Sequence, residues 1–230
     1  MTAMVSSYVR DAWHTANDEG TTVLDASTGE PVGRVSSTGV DMAAMVEHAR
    51  RVGGPGLGEL TFHQRAAALK RLAVYLRERR DGLYEQSART GATVGDAMVD
   101  VDGGIGALFV YSSKGRRELP NDVLYVDGQP EPLGRGGTFV GQHVYTSRPG
   151  VAVFIDAFNF PVWGMLEKLA PTLLAGVPAI VKPASATAYL AEAAFKIMID
   201  SGVLPPGAVQ LIVGGVGDLF DHLTGQDVVS

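Results

Sequence analysis

The chain has 230 residues, of which 46% are hydrophobic and 19% charged, a balance that excludes disorder and fibrous repeats and leaves room for about one and a half domains. Its 19 Lys and Arg against 25 Asp and Glu give a formal charge of −6, which argues against a nucleic-acid partner. There is no cysteine, so disulfides, thiolate zinc sites and cysteine nucleophiles are excluded within this stretch. The N-terminus lacks a basic segment followed by an apolar one, and no apolar run reaches the roughly 18 residues of a membrane span. A soluble cytoplasmic protein without a membrane partner is the expectation.

The first part of the chain reads as short strands and turns. Val23-Leu24 and Val32 to Val35 are β-branched pieces separated by Ser27-Thr28-Gly29, a turn signal. Asp41 is expected to cap a helix over Met42 to Val52, ended by Gly53-Gly54-Pro55-Gly56. Thr61 is expected to cap a helix from Phe62 to Arg79, in which Ala66, Leu69, Leu72, Ala73 and Leu76 recur at helical spacing. Further helices are expected over Gly82 to Thr90 and Thr93 to Gly115, the latter packing closely at Gly103, Gly104 and Gly106. From Leu119 the pattern becomes extended: Val123 to Val126, a turn at Asp127-Gly128, then Gly137 to Tyr145. Such a ribbon can pair with another chain.

The last third alternates strand and helix. Strands are expected at Val151 to Ile155, Ala179 to Val181, Val209 to Val213 and from Asp227. Helices are expected at Pro161 to Leu174, Ala186 to Ser201 and Asp218 to Leu223, with Gly176 and Gly202 closing the first two. This order predicts a parallel sheet with helices on both faces, whose ligand edge lies at the carboxyl ends of its strands. Asp156 to Asn159, Lys182 to Ser185 and Gly214 to Gly217 fall there. Taken alone, Gly214-Gly215-Val216-Gly217 reads equally as a plain turn or a phosphate cradle. Lys182 reads as a lysine snorkelling at a strand end or as a donor to ribose or phosphate. Asn159 reads as a turn residue or as an amide aimed at a developing oxyanion. His14, His48, His63, His143 and His222 show no metal-ligand spacing, and no metal is expected.

The stretch Phe154-Ile155-Asp156-Ala157-Phe158-Asn159-Phe160-Pro161-Val162-Trp163, followed by Glu167-Lys168-Leu169-Ala170-Pro171, Ala175-Gly176, Val181-Lys182-Pro183-Ala184-Ser185 and Pro205-Pro206-Gly207, resembles the aldehyde dehydrogenase superfamily. Gly91-Ala92-Thr93, Val99-Asp100, Gly103 to Gly106, Arg117 to Pro120, Gly164 to Lys168 and Gly217-Asp218-Leu219 narrow the resemblance to CoA-semialdehyde dehydrogenases. These are the dehydrogenase half of the bifunctional phenylacetate-degradation enzymes and a related enzyme of benzoyl-CoA degradation. The resemblance implies an α/β fold: N-terminal strands and helices over 1–117, an oligomerisation ribbon over 118–147, and an incomplete Rossmann-like parallel sheet over 148–230.

By the same resemblance Asn159 is the oxyanion-hole amide, Lys182 with Pro183 and Ala184 holds the adenosine ribose, Ile155, Asp156, Ala157 and Phe158 line the nicotinamide side, and Gly214 and Gly217 admit the adenine end. Many family members carry Glu three residues after this lysine, where it binds the ribose 2′-hydroxyl; here the residue is Ser185. A carboxylate repels a 2′-phosphate and a serine hydrogen-bonds to it, so NADP is expected over NAD, with NAD remaining usable. The family's catalytic cysteine and glutamate lie downstream of the matched region. The chain is therefore expected to be the N-terminal part of a longer homo-oligomeric enzyme, inactive by itself. That enzyme is expected to oxidise 3-oxo-5,6-dehydrosuberyl-CoA semialdehyde to the carboxylate. The alternatives are 3,4-dehydroadipyl-CoA semialdehyde, another aldehyde, or a non-catalytic nucleotide-binding module.

Overall fold

A computed structural model describes residues 2–230. Strands β1 (Ser7–Val9) and β2 (Ala12–His14) form a hairpin whose turn residues, Arg10 and Asp11, take positive φ of 51° and 61°. Distant groups hold this left-handed pair: Gln210 accepts from the Arg10 N–H (2.9 Å) and Asp11 accepts from the Gly207 N–H (2.8 Å). A second hairpin, β3 (Thr21–Leu24) and β4 (Pro31–Val35), turns where Asp25 accepts from the Ser27 and Thr28 amides.

Asp41 caps α1 (Met42–His48) by accepting from the Ala44 N–H at 2.9 Å. The helix does not end at Gly53-Gly54-Pro55-Gly56, as expected. A wider π-helical turn, Ala49–Gly53, carries it into α2 (Gly54–Gly58), and Pro55 follows directly on that turn, where the i→i−4 pattern is already interrupted by the Gly54 N–H bonding to the Ala49 carbonyl. Gly53 serves close approach instead, since a Cβ there would collide with the Gly207 carbonyl. Helix α3 (Phe62–Arg77) stops short of Arg79 and opens on a capping box of Thr61 and Gln64. After α4 (Asp81–Ser87), which ends in a 3-10 turn at Ala88–Thr90, comes α5 (Val94–Glu118), opened by a capping box of Thr93 and Asp96 and running past Gly115. Gly103 and Gly104 do pack closely, against Trp163, but Gly106 faces open space; Gly115 is the further tight point, 2.6 Å from Leu174 were it to carry a Cβ.

Strands β5 (Tyr125–Pro132) and β6 (Val140–Tyr145) form a separate two-stranded ribbon. Its turn is not Asp127-Gly128. Asp127 pairs with His143, and the positive φ of Gly128 (67°) serves a bulge, while the chain reverses between Leu133 and Phe139, joined at 2.8 Å.

The remaining elements are β7 (Ala152–Ile155), α6 (Pro161–Leu174), β8 (Ala179–Lys182), a 3-10 turn at Ser185–Thr187, α7 (Ala188–Asp200), β9 (Val209–Leu211) and β10 (Val228–Val229). The helix expected from Asp218 is only a 3-10 turn, Leu219–His222. The main sheet runs β10-β7-β8-β9-β1-β2; its first four strands are parallel, and β1 joins β9 antiparallel. Alternation along these strands sorts the core. Phe154, Val181 and Leu211 face α3, α5, α6 and α7, whereas Val153, Ile180 and Ile212 face α1 and Leu219.

One buried cation ties the helical layer together. Arg65, 1% exposed, donates to the Leu57 carbonyl (2.9 Å) and Gly58 carbonyl (3.4 Å) at the end of α2 and to the Leu174 carbonyl (3.2 Å) at the end of α6. Two helix C-termini thus supply the negative ends that offset a charge held without a carboxylate. No helix among the described residues is long and apolar enough to cross a membrane.

Candidate active site

Strand β7 lies between β8 and β10, although β10 follows β9 in the chain. The sheet therefore reverses its winding beside β7, and a crevice opens at the carboxyl ends of the strands there. Backbone bonds fix the edge: the Asp156 N–H donates to the Lys182 carbonyl (3.0 Å) and the Ile155 N–H to the Ser230 carbonyl (2.8 Å). Residues 155–159, 182–185 and 214–217 consequently leave the sheet on one side.

Lys182, Ser185 and Gly214 line one wall of an open cavity of about 800 Å³. The opposite wall is made by residues 18–21 and 35–37, from the two ends of the β3–β4 hairpin. Sequence reading missed that wall, because no motif marks it. Gly214 is the contact between the two walls. It takes φ 103°, and a Cβ would lie 2.7 Å from the Ser37 nitrogen and 2.8 Å from the Ser36 carbonyl carbon. Gly217, at φ 51°, serves a turn before Leu219–His222, outside the cavity lining.

Lys182 is half-buried, and among the described residues its ammonium has no hydrogen-bond or ion-pair partner. Burial holds its pKa below the ordinary lysine value. A desolvated, unpaired cation on a cavity wall is suited to ribose hydroxyls and phosphate. Pro183 is buried, Ala184 half-buried, and Ser185 begins the 3-10 turn that leads into α7. Across the cavity Asp18 accepts from the Thr38 hydroxyl (2.7 Å) and the Ser36 hydroxyl (2.8 Å), which lower its pKa and keep it charged. These residues fit a nucleotide cofactor, with one feature, the Asp18 carboxylate, opposing extra negative charge.

The loop after β7 divides its labour. Asp156 turns its buried carboxylate back to Lys168 on α6 (2.7 Å), leaving Oδ2 without a partner. Burial raises the Asp156 pKa and the Lys168 charge opposes the rise. Only the Asp156 backbone is left to face outward. Ile155, Ala157, Phe158 and Asn159 are exposed, and Phe158 presents 65% of its surface. The Asn159 amide makes no hydrogen bond among the described residues, so its donors are free to meet an oxyanion.

Directly after this loop α6 begins, and a residue that the sequence reading gave no role anchors it. Asp100 on α5 accepts from the Trp163 N–H (2.7 Å) and the Val162 N–H (3.1 Å). Burial pushes the Asp100 pKa up to about 6, against the pull of those two amides. The assembled groups offer an amide for an oxyanion and a cation with a hydroxyl for a phosphorylated ribose. A thiol nucleophile is absent from the sequence.

The profile of the aldehyde dehydrogenase family matches residues 13–230. Over 227 residues the chain is 44% identical to 3,4-dehydroadipyl-CoA semialdehyde dehydrogenase of Aromatoleum evansii, covering 98% of this chain and 44% of that protein. It is 25% identical to the NADP-linked succinate-semialdehyde dehydrogenase of Escherichia coli K12, covering 96% of this chain and 44% of the relative. Among solved structures, an NAD-dependent benzaldehyde dehydrogenase from Corynebacterium glutamicum superposes with a TM-score of 0.80 at 20% identity, over 95% of this chain and 46% of that one. The chain thus spans less than half the length of these proteins.

Proposed function

The chain belongs to the aldehyde dehydrogenase family, and from that premise we propose that it supplies the oxyanion donor and the adenosine end of the cofactor site in an NADP-dependent oxidation of a CoA-linked semialdehyde. The observation that carries the proposal is the pairing of a free amide, Asn159, with an unpaired half-buried cation, Lys182, on one carboxyl edge. The 44% identity favours 3,4-dehydroadipyl-CoA semialdehyde, the substrate in that relative's name, over 3-oxo-5,6-dehydrosuberyl-CoA semialdehyde.

In this reading the Asn159 amide donates to the aldehyde oxygen as the carbonyl carbon becomes tetrahedral. Loss of one such donor slows the chemical step by roughly 10²- to 10³-fold. Phe158 offers an exposed aromatic wall beside it. Lys182 and Ser185 hold the ribose and its 2′-phosphate, and Gly214 lets the hairpin wall close on that end. A bound NADP would supply the hydride acceptor. The nucleophile and the base that activates water come from outside these 230 residues. Of the parts assigned, 1–117 and 148–230 build the cofactor side and 118–147 is an oligomerisation ribbon.

Calorimetric titration of the 230-residue chain with NADP and NAD tests the site. Tighter binding of NADP, and at least tenfold weaker binding by Lys182→Ala, is the expected result. Equal or tighter binding of NAD overturns the cofactor preference, and binding untouched by Lys182→Ala overturns the site.

A further inference from the structure

Helix α6 begins without a cap of its own. Phe160 stands at the N-cap with no side-chain hydrogen bond, and Pro161 brings no N–H. The next two amides, Val162 and Trp163, are both taken by Asp100, at 3.1 and 2.7 Å. Asp100 comes from α5 and is 3% exposed. Three and four residues further along α5, on the same face, Gly103 and Gly104 let Trp163 lie against the helix. A Cβ on Gly103 would stand 2.8 Å from the indole, and one on Gly104 would stand 3.0 Å from the Trp163 Cα. The Phe160 ring packs on Trp163 at 5.9 Å between centroids. The first turn of α6 is thus fixed from α5 by hydrogen bonds and by packing. Asn159 is the residue immediately before that N-cap, exposed and with no hydrogen bond of its own among the described residues.

We propose that Asp100 is a positioning residue for the oxyanion donor: its carboxylate anchors the first turn of α6 and so sets the direction of the Asn159 amide. The inference rests on the reading of Asn159 as that donor and adds a residue on another helix that touches neither substrate nor cofactor. It also explains why a carboxylate is kept in a dry site without a cation. Two amides of a helix start, at its positive end, take the place of the missing counter-ion.

The test compares Asp100→Ala and Asp100→Asn with Arg65→Met, which releases the other end of the same helix. In the 230-residue chain, nitrogen-15 relaxation reads the order of the Asn159 backbone and side-chain amides. Asp100→Ala is expected to drop the Asn159 order parameter from the rigid value of about 0.85 to below about 0.6. Asp100→Asn, which keeps one acceptor oxygen, should fall between, and Arg65→Met should lower Tm yet leave Asn159 ordered. If Asp100→Ala does not fold, Asp100→Asn against Arg65→Met carries the comparison. An unchanged Asn159 in the Asp100 variants, or equal disorder in Arg65→Met, overturns the proposal.

A second arm measures turnover in an enzyme that carries these residues together with the nucleophile. Asp100→Ala should lower kcat at least tenfold with the cofactor KM within twofold, and adding it to Asn159→Ala should cost nothing more. Losses that multiply overturn the positioning role. Full kcat in Asn159→Ala overturns the oxyanion reading instead, and the relaxation data, which involve no chemistry, tell the two failures apart.

Discussion

Lys182 and Asp18 line one cavity with opposite charges, and under the proposed function the balance between them sets the preference between NADP and NAD. Asp18 is held charged by two hydroxyls, so replacing it by Asn removes a repulsion without removing a partner of Lys182. Asp18→Asn should tighten NADP by about two- to fivefold, leave NAD nearly unchanged, and lose the effect as salt rises, because the carboxylate is exposed and screened. Titration of both nucleotides at low and high salt checks this. Asp100 carries a second residue-scale consequence. Its folded pKa, about 6, stands above the ordinary 3.8. The contribution of this group to stability is therefore fully present below pH 4 and is lost as pH rises through 6. Asp100→Asn removes the linkage, so its stability relative to wild type should rise by up to about 3 kcal/mol between pH 4 and 7. Urea unfolding of both proteins across that range reads the slope, and a parallel pair of curves would refute it.

At the scale of elements, α5 shows how one helix uses glycine in opposite ways. Gly103 faces the Trp163 indole and Gly106 faces open space. Gly106→Ala should stabilise the chain by roughly 0.5–1 kcal/mol through helix propensity alone. Gly103→Ala gains the same propensity but forces Trp163 off α5, an overpacking cost of typically 1–3 kcal/mol, so it should be neutral to destabilising. Chemical denaturation of the two variants checks the contrast. The sequence pattern alone treats the two glycines alike, because their difference lies in what stands across from them. The same limit explains the two misplaced breaks. Gly53-Gly54-Pro55-Gly56 has the composition of a helix end, yet Pro55 fits the first turn of α2 and Gly53 is needed against Gly207. Asp127-Gly128 has the composition of a hairpin turn, yet the cross-strand pairing of Asp127 with His143 uses it as a bulge. The span of α6, by contrast, was readable as Pro161 to Leu174, since a proline in the first turn and Gly176 after the end bracket it chemically.

For the molecule as a whole, the ribbon stands apart from the core. Val126 and Val144 are cross-strand partners on one face and are 44% and 52% exposed, with Val140 further along the same face. An apolar strand face left in water favours pairing with a second copy, the role proposed for this segment. Val126→Lys with Val144→Lys should lower the association state in sedimentation while leaving Tm of the monomer unit unchanged, because neither residue belongs to either core cluster. An unaltered sedimentation coefficient would remove the ribbon from the interface. The cavity also belongs to this scale. Its walls are separated in sequence by α1 to α6, and only tertiary packing brings the separate β3–β4 hairpin and its flanking residues beside Gly214.

The sequence by itself determined the alternating strands and helices of the last third, the positions of Asn159 and Lys182 at strand ends, and the motifs that place the chain in its family. These features are local, written in periodicity, caps and short runs of residues. Tertiary structure alone decided that β1 and β2 extend the sheet, that Asp18 and Ser36 face Lys182, that Asp156 turns away to Lys168, and that Asp100 anchors the turn after Asn159. All but the Asp156–Lys168 pair, which stand 12 residues apart, depend on segments distant in the chain being brought together. A buried charge or a close backbone contact is stable only when its partner arrives, and the identity of that partner is set by the fold.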